Sequence, residues 1–509
     1  MKKQRVLLTG ASGAMGFAGL NELLKDTNIQ DIVILVRPSD KNKKTFRPYE
    51  GREGLTIYWG DLTNYDDVYK SIEGVDIILH VAAFVSPAAD NNPEMAMKIN
   101  YGSAKNLVKS IEEQGRKEDI KFVNIGTIAE TGDRMPPIHW GRIGDSIKPS
   151  VYDYYAVSKI AAERLVIESG IKNWVSLRQT GILGNKMMEI EDPIQFHNCY
   201  DNVLEYVSDK DSARMLKNLC AKVANCELSD DFWGHLYNVG GGESCRTPAY
   251  EMMESMYKVM GINDLSQVVL PAKYQCLRNF HGTYYLDSDK LNYYLEFRGD
   301  TIEYNDEVFA KSLGDSLRFI RLTTKIPGGQ KIIGRSIKKH AEKLARMERG
   351  PIYWEENCME EKIAAYYGSV EAFEELPESI NDLKRFSDWD KVVHIDHGYD
   401  EIKPEGELNI ADVRGAANFR GGECLSDTMK KGDWISKLKF KCAFGHEFEA
   451  SPRLVLEGGH WCPVCERESW NYYERAKVDP FFAQVWKPLH DDNEKEYVWL
   501  KEFSELDID

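Results

Sequence analysis

The chain has 509 residues, which is too long for one ordinary hydrophobic core, so two or three domains are expected. Its 42% hydrophobic and 29% charged residues are typical of a globular enzyme and exclude a largely disordered chain. A formal net charge of -17 repels polyanions, so neither nucleic acid nor a membrane surface is expected as a partner unless a local basic patch overcomes that field.

The cysteines and the N-terminus bear on where the protein works. Ten irregularly spaced cysteines do not resemble the dense disulfide framework of a small secreted protein, and they favour a reducing compartment. The apolar run after Met1–Arg5 is too short for a signal peptide, and no later stretch reaches about 18 uncharged apolar residues. We therefore expect a cytoplasmic protein without a membrane span.

Short apolar runs alternate with amphipathic segments over the first 170 residues. This rhythm predicts βαβ units, and therefore an α/β fold with a Rossmann-type, doubly wound parallel sheet. The predicted strands are Arg5–Leu8, Ile32–Val36, Leu55–Tyr58, Ile77–His80 and Phe122–Ile125, and the predicted helices are Gly16–Leu24, Tyr65–Ile72 and Met95–Gln114.

The pattern is looser after residue 175 and predicts a smaller lobe over the substrate, followed by further units. The stretch Lys331–Arg349 is predicted to be a basic helix with one face on the core, a phosphate or membrane role being the alternative. Residues 351–405 show no clear period. The expected division is a nucleotide-binding core at 1–175, a substrate lobe mainly at 176–320, a helical connector at 321–410, a small module at 411–470 and a tail at 471–509.

A glycine-rich turn follows the first predicted strand and opens into a helix. Its spacing is G-x-x-G-x-x-G, which permits a tight turn, a close approach of a diphosphate to the backbone, and contact between helix and sheet. The expected cofactor contacts in this turn are Gly10, Ser12, Gly13, Ala14, Met15 and Gly16.

Residues after the next three strands are expected to complete a dinucleotide site. Arg37, with lysines close behind it, would pair with the 2'-phosphate of NADP(H), which favours NADP(H) over NAD(H). The alternative is that Arg37 only ends a strand. Asp61 would accept from the adenine amino group or, alternatively, cap the helix near Tyr65. The other expected contacts are Leu62, Val81, Ala82 and Ala83.

Tyr155 and Lys159 lie four residues apart, on one face of a predicted helix. A phenol has a pKa near 10, so it serves as an acid or base near neutrality only if a nearby cation, here Lys159, stabilises the phenolate. Thr127, at the end of a predicted strand, would add a second donor to the substrate oxygen. Tyr155 and Lys159 are also expected to contact the cofactor.

With these motifs, residues 1 to about 320 resemble the extended short-chain dehydrogenase/reductase family, also called the NAD-dependent epimerase/dehydratase superfamily. The resemblance implies that Thr127, Tyr155 and Lys159 are catalytic, that Asn100 matches the family's helix Asn, and that Ile182 contacts the cofactor. It also implies a small-molecule substrate, and a homodimer formed through helices like the one bearing Tyr155.

Departures from the family's patterns narrow the expected reaction. Gly181 replaces the Asn of sugar-nucleotide epimerases, and Thr127-Ile128-Ala129 replaces the T-D-E run of sugar dehydratases. The remaining expectation is interconversion of a carbonyl and an alcohol, with an epimerase/dehydratase or a non-catalytic nucleotide sensor as alternatives. An apolar, steroid-like substrate pocket is one interpretation, and ordinary core the other, of Phe84, Val85, Ile128, Ile182, Met187, Met188 and Phe196.

A second motif lies near the C-terminus. Cys442 and His446, then Cys462 and Cys465, form two close pairs separated by a hairpin-sized loop, which suits a tetrahedral structural zinc site. The surrounding residues resemble zinc-ribbon or treble-clef modules, in which these four residues are the ligands. Lys/Arg and Asp/Glu are balanced across the module, so nucleic acid is not expected to bind there.

Overall fold

The computed structural model describes residues 3–467 and 471–491. The end of the predicted C-terminal tail, from residue 492, lies outside the described residues. The strands are β1 (Gln4–Thr9), β2 (Gln30–Val36), β3 (Leu55–Trp59), β4 (Ile77–His80), β5 (Lys121–Thr127), β6 (Trp140–Gly141), β7 (Asn173–Gln179), β8 (Ile182–Leu183), β9 (Val203–Glu205), β10 (Val207–Ser208), β11 (His235–Val239), β12 (Arg246–Pro248), β13 (Tyr284–Tyr285), β14 (Glu423–Cys424), β15 (Leu438–Lys441) and β16 (Glu447–Ala450).

Twenty α-helical segments accompany the strands within the described residues. They are α1 (Ala14–Leu23), α2 (Asp40–Phe46), α3 (Tyr65–Ser71), α4 (Ala88–Asn91), α5 (Pro93–Ala96), α6 (Gly102–Glu113), α7 (Tyr154–Ile167), α8 (Asn185–Met188), α9 (Asp209–Ala224), α10 (Ala249–Val259), α11 (Ser288–Leu295), α12 (Glu303–Leu313), α13 (Ser316–Thr324), α14 (Gly329–Ala345), α15 (Pro351–Glu356), α16 (Glu360–Tyr367), α17 (Val370–Glu374), α18 (Ile410–Phe419), α19 (Tyr472–Val478) and α20 (Pro480–Trp486). No helix of the described residues is both long and apolar enough to cross a lipid bilayer.

A seven-stranded sheet in the order β11-β7-β5-β4-β1-β2-β3 forms the centre of the molecule. All of its pairings are parallel, and Leu8 of β1 lies beside Ile34 on one side and Leu79 on the other. Both faces are covered by buried apolar side chains. This is the predicted Rossmann-type α/β fold, and its strand order reverses direction at β1, where such sheets bind ligands.

The five strands predicted from the sequence are all present. The long helix predicted over Met95–Gln114 is instead α5, a π-helical turn at Met97–Tyr101, and α6. A wide turn of this kind depends on the hydrogen bonds of particular buried side chains rather than on apolar periodicity. The predicted basic helix is α14, which ends before Arg349.

Residues 351–405 are packed more closely than their irregular sequence suggests. Helices α15 to α17 bury Trp354, Tyr366 and Phe373 in one core with Met135 and Val151, which lie between β5 and α7. These helices are short and are buried on several sides, so they lack the one-sided apolar period that a surface helix shows.

The C-terminal part of the chain shares a core with the central sheet. Phe440, Leu454 and Trp461 belong to the same buried cluster as Phe122 of β5 and Trp174 of β7. The π-helical turn Arg453–Glu457 therefore lies against α7, and Arg164 of α7 lies over the Phe448 ring of β16.

The turn between β1 and α1 is built to the size of glycine. Gly10 has φ +74, and a Cβ on it would lie 2.6 Å from the backbone nitrogen of Ala82. A Cβ on Gly16 would lie 2.1 Å from the carbonyl oxygen of Gly10. Backbone atoms occupy both spaces. A side chain at either position could therefore enter only if the backbone segments around the turn moved apart.

Gly16→Ala is predicted to lower the free energy of unfolding by about 1–3 kcal/mol, because the new methyl group overlaps backbone that has nowhere to relax. Gly406→Ala is the matched control, since no atom lies within 4 Å of the Cβ that it would add. Thermal and denaturant unfolding of both variants would check this. Equal stability of the two variants would contradict the tight turn.

Candidate active site

The glycine turn leaves the first turn of α1 open at the carboxyl edge of the sheet. Gly13 is the N-cap residue of α1 and has no side chain that could bond to the first turn of the helix. Its N–H donates to the carbonyl oxygen of Gly10 at 2.9 Å. Ser12, Gly13 and Ala14 are exposed, whereas Met15 is buried beneath them. Exposed N–H groups and the positive end of the helix dipole suit a diphosphate at this point.

The other residues expected at the dinucleotide lie around the same edge. Arg37 follows β2 and is exposed, while Val81, Ala82 and Ala83 follow β4 and are half-buried. The N–H of Ala82 donates to Thr9 Oγ1 at 3.2 Å, which holds this segment against the glycine turn.

Asp61 and Leu62 follow β3. Asp61 Oδ1 accepts from the N–H and the hydroxyl of Thr63 at 2.8 and 2.9 Å. The alternative that Asp61 caps the next helix is wrong, because Asn64 caps α3 by accepting from the N–H of Asp67 at 3.1 Å. Leu62 is held by its carbonyl oxygen, which accepts from Asn106 at 2.9 Å.

Tyr155 and Thr127 are brought together by α7 and β5. The Thr127 hydroxyl lies near the Tyr155 phenol, and the N–H of Tyr155 donates to Asp90 Oδ1 at 3.4 Å. Burial raises the pKa of the Tyr155 phenol, the Thr127 hydroxyl opposes the rise, and the charge of Glu130 adds to it. The phenol is therefore in its protonated form at neutral pH.

Lys159 lies one turn after Tyr155 and is buried, with 2% of its surface exposed. Burial lowers the pKa of its ammonium group, and the carboxylates of Glu130 and Glu163 oppose that shift. The two carboxylates thus compensate for the cost of burying this charge beside the site.

Asn100 lies in the π-helical turn and is almost fully buried. Its Oδ1 accepts from the N–H of Phe84 at 2.7 Å, and its Nδ2 donates to Phe84 O at 2.9 Å and to Ser158 Oγ at 2.8 Å. Ser158 donates in turn to the carbonyl oxygen of Tyr155 at 2.7 Å. Asn100 therefore joins the segment after β4 to the helix that carries Tyr155.

The apolar residues considered for a substrate pocket are scattered. Ile182 packs on the sheet, Ile128 and Phe196 are buried in two other cores, and Val85 is 52% exposed. The structure does not bring these residues together into one pocket. Hydrophobicity alone did not separate pocket from core.

A cavity lies beside the N-terminus of α7 and is lined by charged residues. His281 Nδ1 is 3.6 Å from Asp153 Oδ2, and Arg349 Nη2 is 3.6 Å from Asp192 Oδ1. The ammonium of Lys362 lies 3.0 Å from the centre of the Tyr152 ring. The lining includes Asp90, Tyr152, Asp153, His281, Arg349 and Lys362.

Two groups in this cavity have altered pKa values. Burial and the charge of Asp153 raise the pKa of Asp90 to about 7, and burial lowers the pKa of Lys362 to about 8. Sequence reasoning missed Arg349 and Lys362, which follow Tyr155 by some two hundred residues and belong to no motif. Only long-range packing of α14 to α16 brings them here.

The four predicted metal ligands form a compact cluster. His446 Nδ1 lies 3.4, 3.5 and 3.5 Å from the sulfurs of Cys442, Cys462 and Cys465, and the sulfurs of Cys442 and Cys465 are 3.9 Å apart. Tetrahedral zinc with ordinary bond lengths requires about 3.6 Å between nitrogen and sulfur and about 3.8 Å between sulfurs. The residues present therefore fit a zinc ion.

The chain resembles known proteins over part of its length. It is 26% identical over 211 residues to a 3-beta-hydroxysteroid dehydrogenase of Mycolicibacterium neoaurum, covering 39% of this chain and 52% of that protein. It is 27% identical over 185 residues to the human decarboxylating sterol-4-alpha-carboxylate 3-dehydrogenase, covering 36% and 45%. The chain thus matches about half the length of these relatives.

Among solved structures, a dTDP-glucose 4,6-dehydratase from Streptomyces venezuelae aligns with a TM-score of 0.49 and 18% identity, over 62% of this chain and 98% of that one. Residues 6–190, about a third of the chain, match the model of the NAD dependent epimerase/dehydratase family.

Proposed function

We propose that the protein is an NAD(P)-dependent oxidoreductase that interconverts a carbonyl and an alcohol. The observation that carries this proposal is the placement of the Tyr155 phenol near the Thr127 hydroxyl, at the carboxyl edge of the sheet that also bears the open glycine turn. The glycine turn at that edge suits a dinucleotide. Tyr155 supplies a proton donor, and Thr127 a second hydroxyl, for a substrate oxygen.

The bound nicotinamide would supply or take up a hydride, and the protein's side chains carry the remaining steps. Tyr155 donates its proton to the substrate oxygen during reduction and recovers one during oxidation. Thr127 holds the same oxygen by hydrogen bonding, which fixes the reacting carbonyl. Lys159 favours the phenolate by its charge, and Asn100 keeps α7 in register with the segment after β4.

The cavity beside α7 bears on the substrate. Two matched relatives are named as steroid and sterol-carboxylate dehydrogenases, which supports a ketone or secondary alcohol of that general kind. Asp90, Arg349 and Lys362 line this cavity, so we propose a substrate with a polar or ionised end rather than a wholly apolar one.

The family description also supports a second candidate, an epimerase or dehydratase. Elimination of water needs an acid and a base besides Tyr155, and Asp90, with its pKa near 7, is a carboxyl group able to exchange protons at neutral pH. Turnover of steroid, aldehyde and sugar-nucleotide panels separates the two candidates, since turnover of sugar nucleotides alone would replace the first by the second.

Tyr155→Phe is predicted to lower carbonyl reduction by at least about 100-fold while leaving cofactor affinity unchanged, because it removes only the transferable proton. Tyr69→Phe, on α3 and outside the cavity lining, is the control and should retain activity. Steady-state rates with the best substrate of the panel and titration of NAD(P)H fluorescence give the two readouts. Undiminished turnover by Tyr155→Phe would remove the proposed acid.

We further propose that NADP(H) is preferred to NAD(H), since Arg37 is exposed at the end of β2 where the adenosine ribose would lie. Arg37→Ala should reduce kcat/KM for NADPH about tenfold or more and leave NADH nearly unaffected, because a charge-assisted bond to phosphate is lost. Arg52→Ala, also exposed, is the control. Equal losses with both cofactors would contradict the assignment.

For the Cys/His cluster we propose a structural zinc ion held by Cys442, His446, Cys462 and Cys465, with all four positions filled by protein. Thiolate ligands require reduced cysteines, which suits the cytoplasmic location expected from the sequence. The module contacts α7 through Arg164, which donates to Trp461 O at 2.9 Å. A homodimer, which stays a proposal, would have to use the surface of α7 that this contact leaves free.

Cys462→Ser is predicted to lose zinc and to lower the unfolding temperature, because one of four ligands is removed from a site that shares a core with the sheet. Cys424→Ser is the matched control, since Cys424 lies in the same module outside the cluster. Atomic emission spectroscopy and thermal unfolding check both. Full zinc content in Cys462→Ser would contradict the ligand set.

A further inference from the structure

Helices α13 and α14, with the turn between them, form a hairpin on the surface, which we call the basic hairpin (residues 316–345). Its inner side packs on the protein, where Ile320, Ile333 and Ile337 contact a buried cluster that includes Met260 and Ile262. Arg321 Nε donates to Val259 O and Lys338 Nζ to Ser266 O, both at 2.7 Å. The hairpin is therefore held in a defined orientation.

The outer side of the basic hairpin exposes large apolar side chains. Phe319, Leu322, Ile326 and Ile332 are 70%, 66%, 62% and 62% exposed. The first three recur at spacings of three and four residues, so they share one face of α13 and its C-terminal turn. Packing within the protein accounts for the inner isoleucines but leaves these four side chains mostly exposed.

The same surface is strongly basic. Residues 316–346 include nine Lys or Arg and a single acidic residue, Glu342, in a chain whose net charge is -17. Arg346 pairs with Glu356. Among the described residues no ion pair or hydrogen bond engages the charged ends of Arg318, Lys325, Lys331, Arg335, Lys339 and Lys343. The hairpin is thus a cationic patch with an exposed apolar face.

We propose that the basic hairpin binds the surface of an anionic lipid bilayer, with Phe319, Leu322, Ile326 and Ile332 inserted among the headgroups and the unpaired cations facing lipid phosphates and carboxylates. An anionic bilayer satisfies both features at once, since it presents negative charge at its surface and hydrocarbon just below. Nucleic acid would match the charge but would leave the apolar side chains in water.

A net charge of -17 argues against a membrane partner unless a local basic patch overcomes that field, and the basic hairpin is such a patch. Salt screens charges beyond about 8 Å at physiological ionic strength, so a membrane in contact with the hairpin responds to the local cations rather than to the total. Binding through the basic hairpin places the protein on the membrane surface and requires no membrane-spanning helix. It is also independent of the reaction proposed for Tyr155.

The test is co-sedimentation of the full-length protein with vesicles of phosphatidylcholine alone and of phosphatidylcholine mixed with phosphatidylglycerol. Binding is expected only to the mixed vesicles and should weaken as salt is raised. One variant removes the apolar face (F319S/L322S/I326S/I332S) and another removes charge (K331Q/R335Q/K339Q). Each should lower the partition coefficient, the second by on the order of 100-fold.

Matched controls separate this surface from exposed residues elsewhere. Tyr293→Ser/Ile435→Ser removes apolar side chains that are 80% and 75% exposed, and Lys430→Gln/Lys431→Gln removes two exposed lysines of the C-terminal module. Both controls should bind mixed vesicles like the unchanged protein. All variants should keep the circular dichroism spectrum and the unfolding temperature of the parent, because only exposed atoms are altered.

A single-residue probe provides a second readout. Phe319→Trp should shift its added fluorescence to shorter wavelength with mixed vesicles and not with phosphatidylcholine alone, because the indole enters the interface. Failure of the parent to bind mixed vesicles, or equal binding by the hairpin variants, would overturn the proposal. So would salt-sensitive binding to RNA, to an acidic protein or to a second copy of the chain in the absence of vesicle binding.

Discussion

One buried carboxylate, Glu163, joins three parts of the structure around the candidate site: helix α7, strand β7 and the C-terminal module. It lies on α7 one turn after Lys159, and its oxygens contact Arg178 of β7 at 2.5 Å, Ser176 Oγ at 2.7 Å and His460 of the C-terminal module at 3.2 Å. Burial alone would raise the pKa of Glu163, but Arg178 and His460 hold it below its usual range. Because a buried charge is stable only with its partners in place, α7 has little freedom to rotate or slide.

The C-terminal half completes a site that the family-matched segment only begins. Arg178 also donates to Gly458 O at 2.7 Å, which ties β7 to the segment preceding Cys462. At the other end of α7, the cavity is lined by Trp354, Tyr366, Arg349 and Lys362, all from the part of the chain after residue 345. The Rossmann-type core thus supplies Thr127 on β5 and Tyr155 on α7, while later segments line the cavity beside α7.

The sequence predicted what local chemistry determines. The glycine turn, the four-residue spacing of Tyr155 and Lys159, and the Cys/His spacing each constrain neighbouring residues. The structure contains the turn, carries Tyr155 and Lys159 one turn apart on α7, and brings the four Cys and His side chains together. The sequence did not reveal His460, Arg349 or Lys362 as partners, because each reaches its place through long-range packing. The connector at 351–405 escaped prediction for a related reason, since short helices buried on several sides lose the apolar period.

The position of Glu130 bears on the choice between redox chemistry and elimination. It directly follows Thr127-Ile128-Ala129, where a dehydratase would carry its extra acid and base, yet its Oε1 accepts from the N–H of Thr127 at 3.0 Å and its Oε2 lies 3.2 Å from Arg178 Nε. The Oε2 atom has no hydrogen-bond partner among the described residues, and burial and the charge of Glu163 raise the pKa of Glu130 well above its usual range. Glu130 is fully buried and does not line the cavity beside α7. Asp90 remains at the cavity, but it accepts from the N–H of Tyr155 at the start of α7. Such a carboxylate supports the helix that presents the phenol, which favours transfer of one proton by Tyr155 over a reaction that needs three acid and base groups.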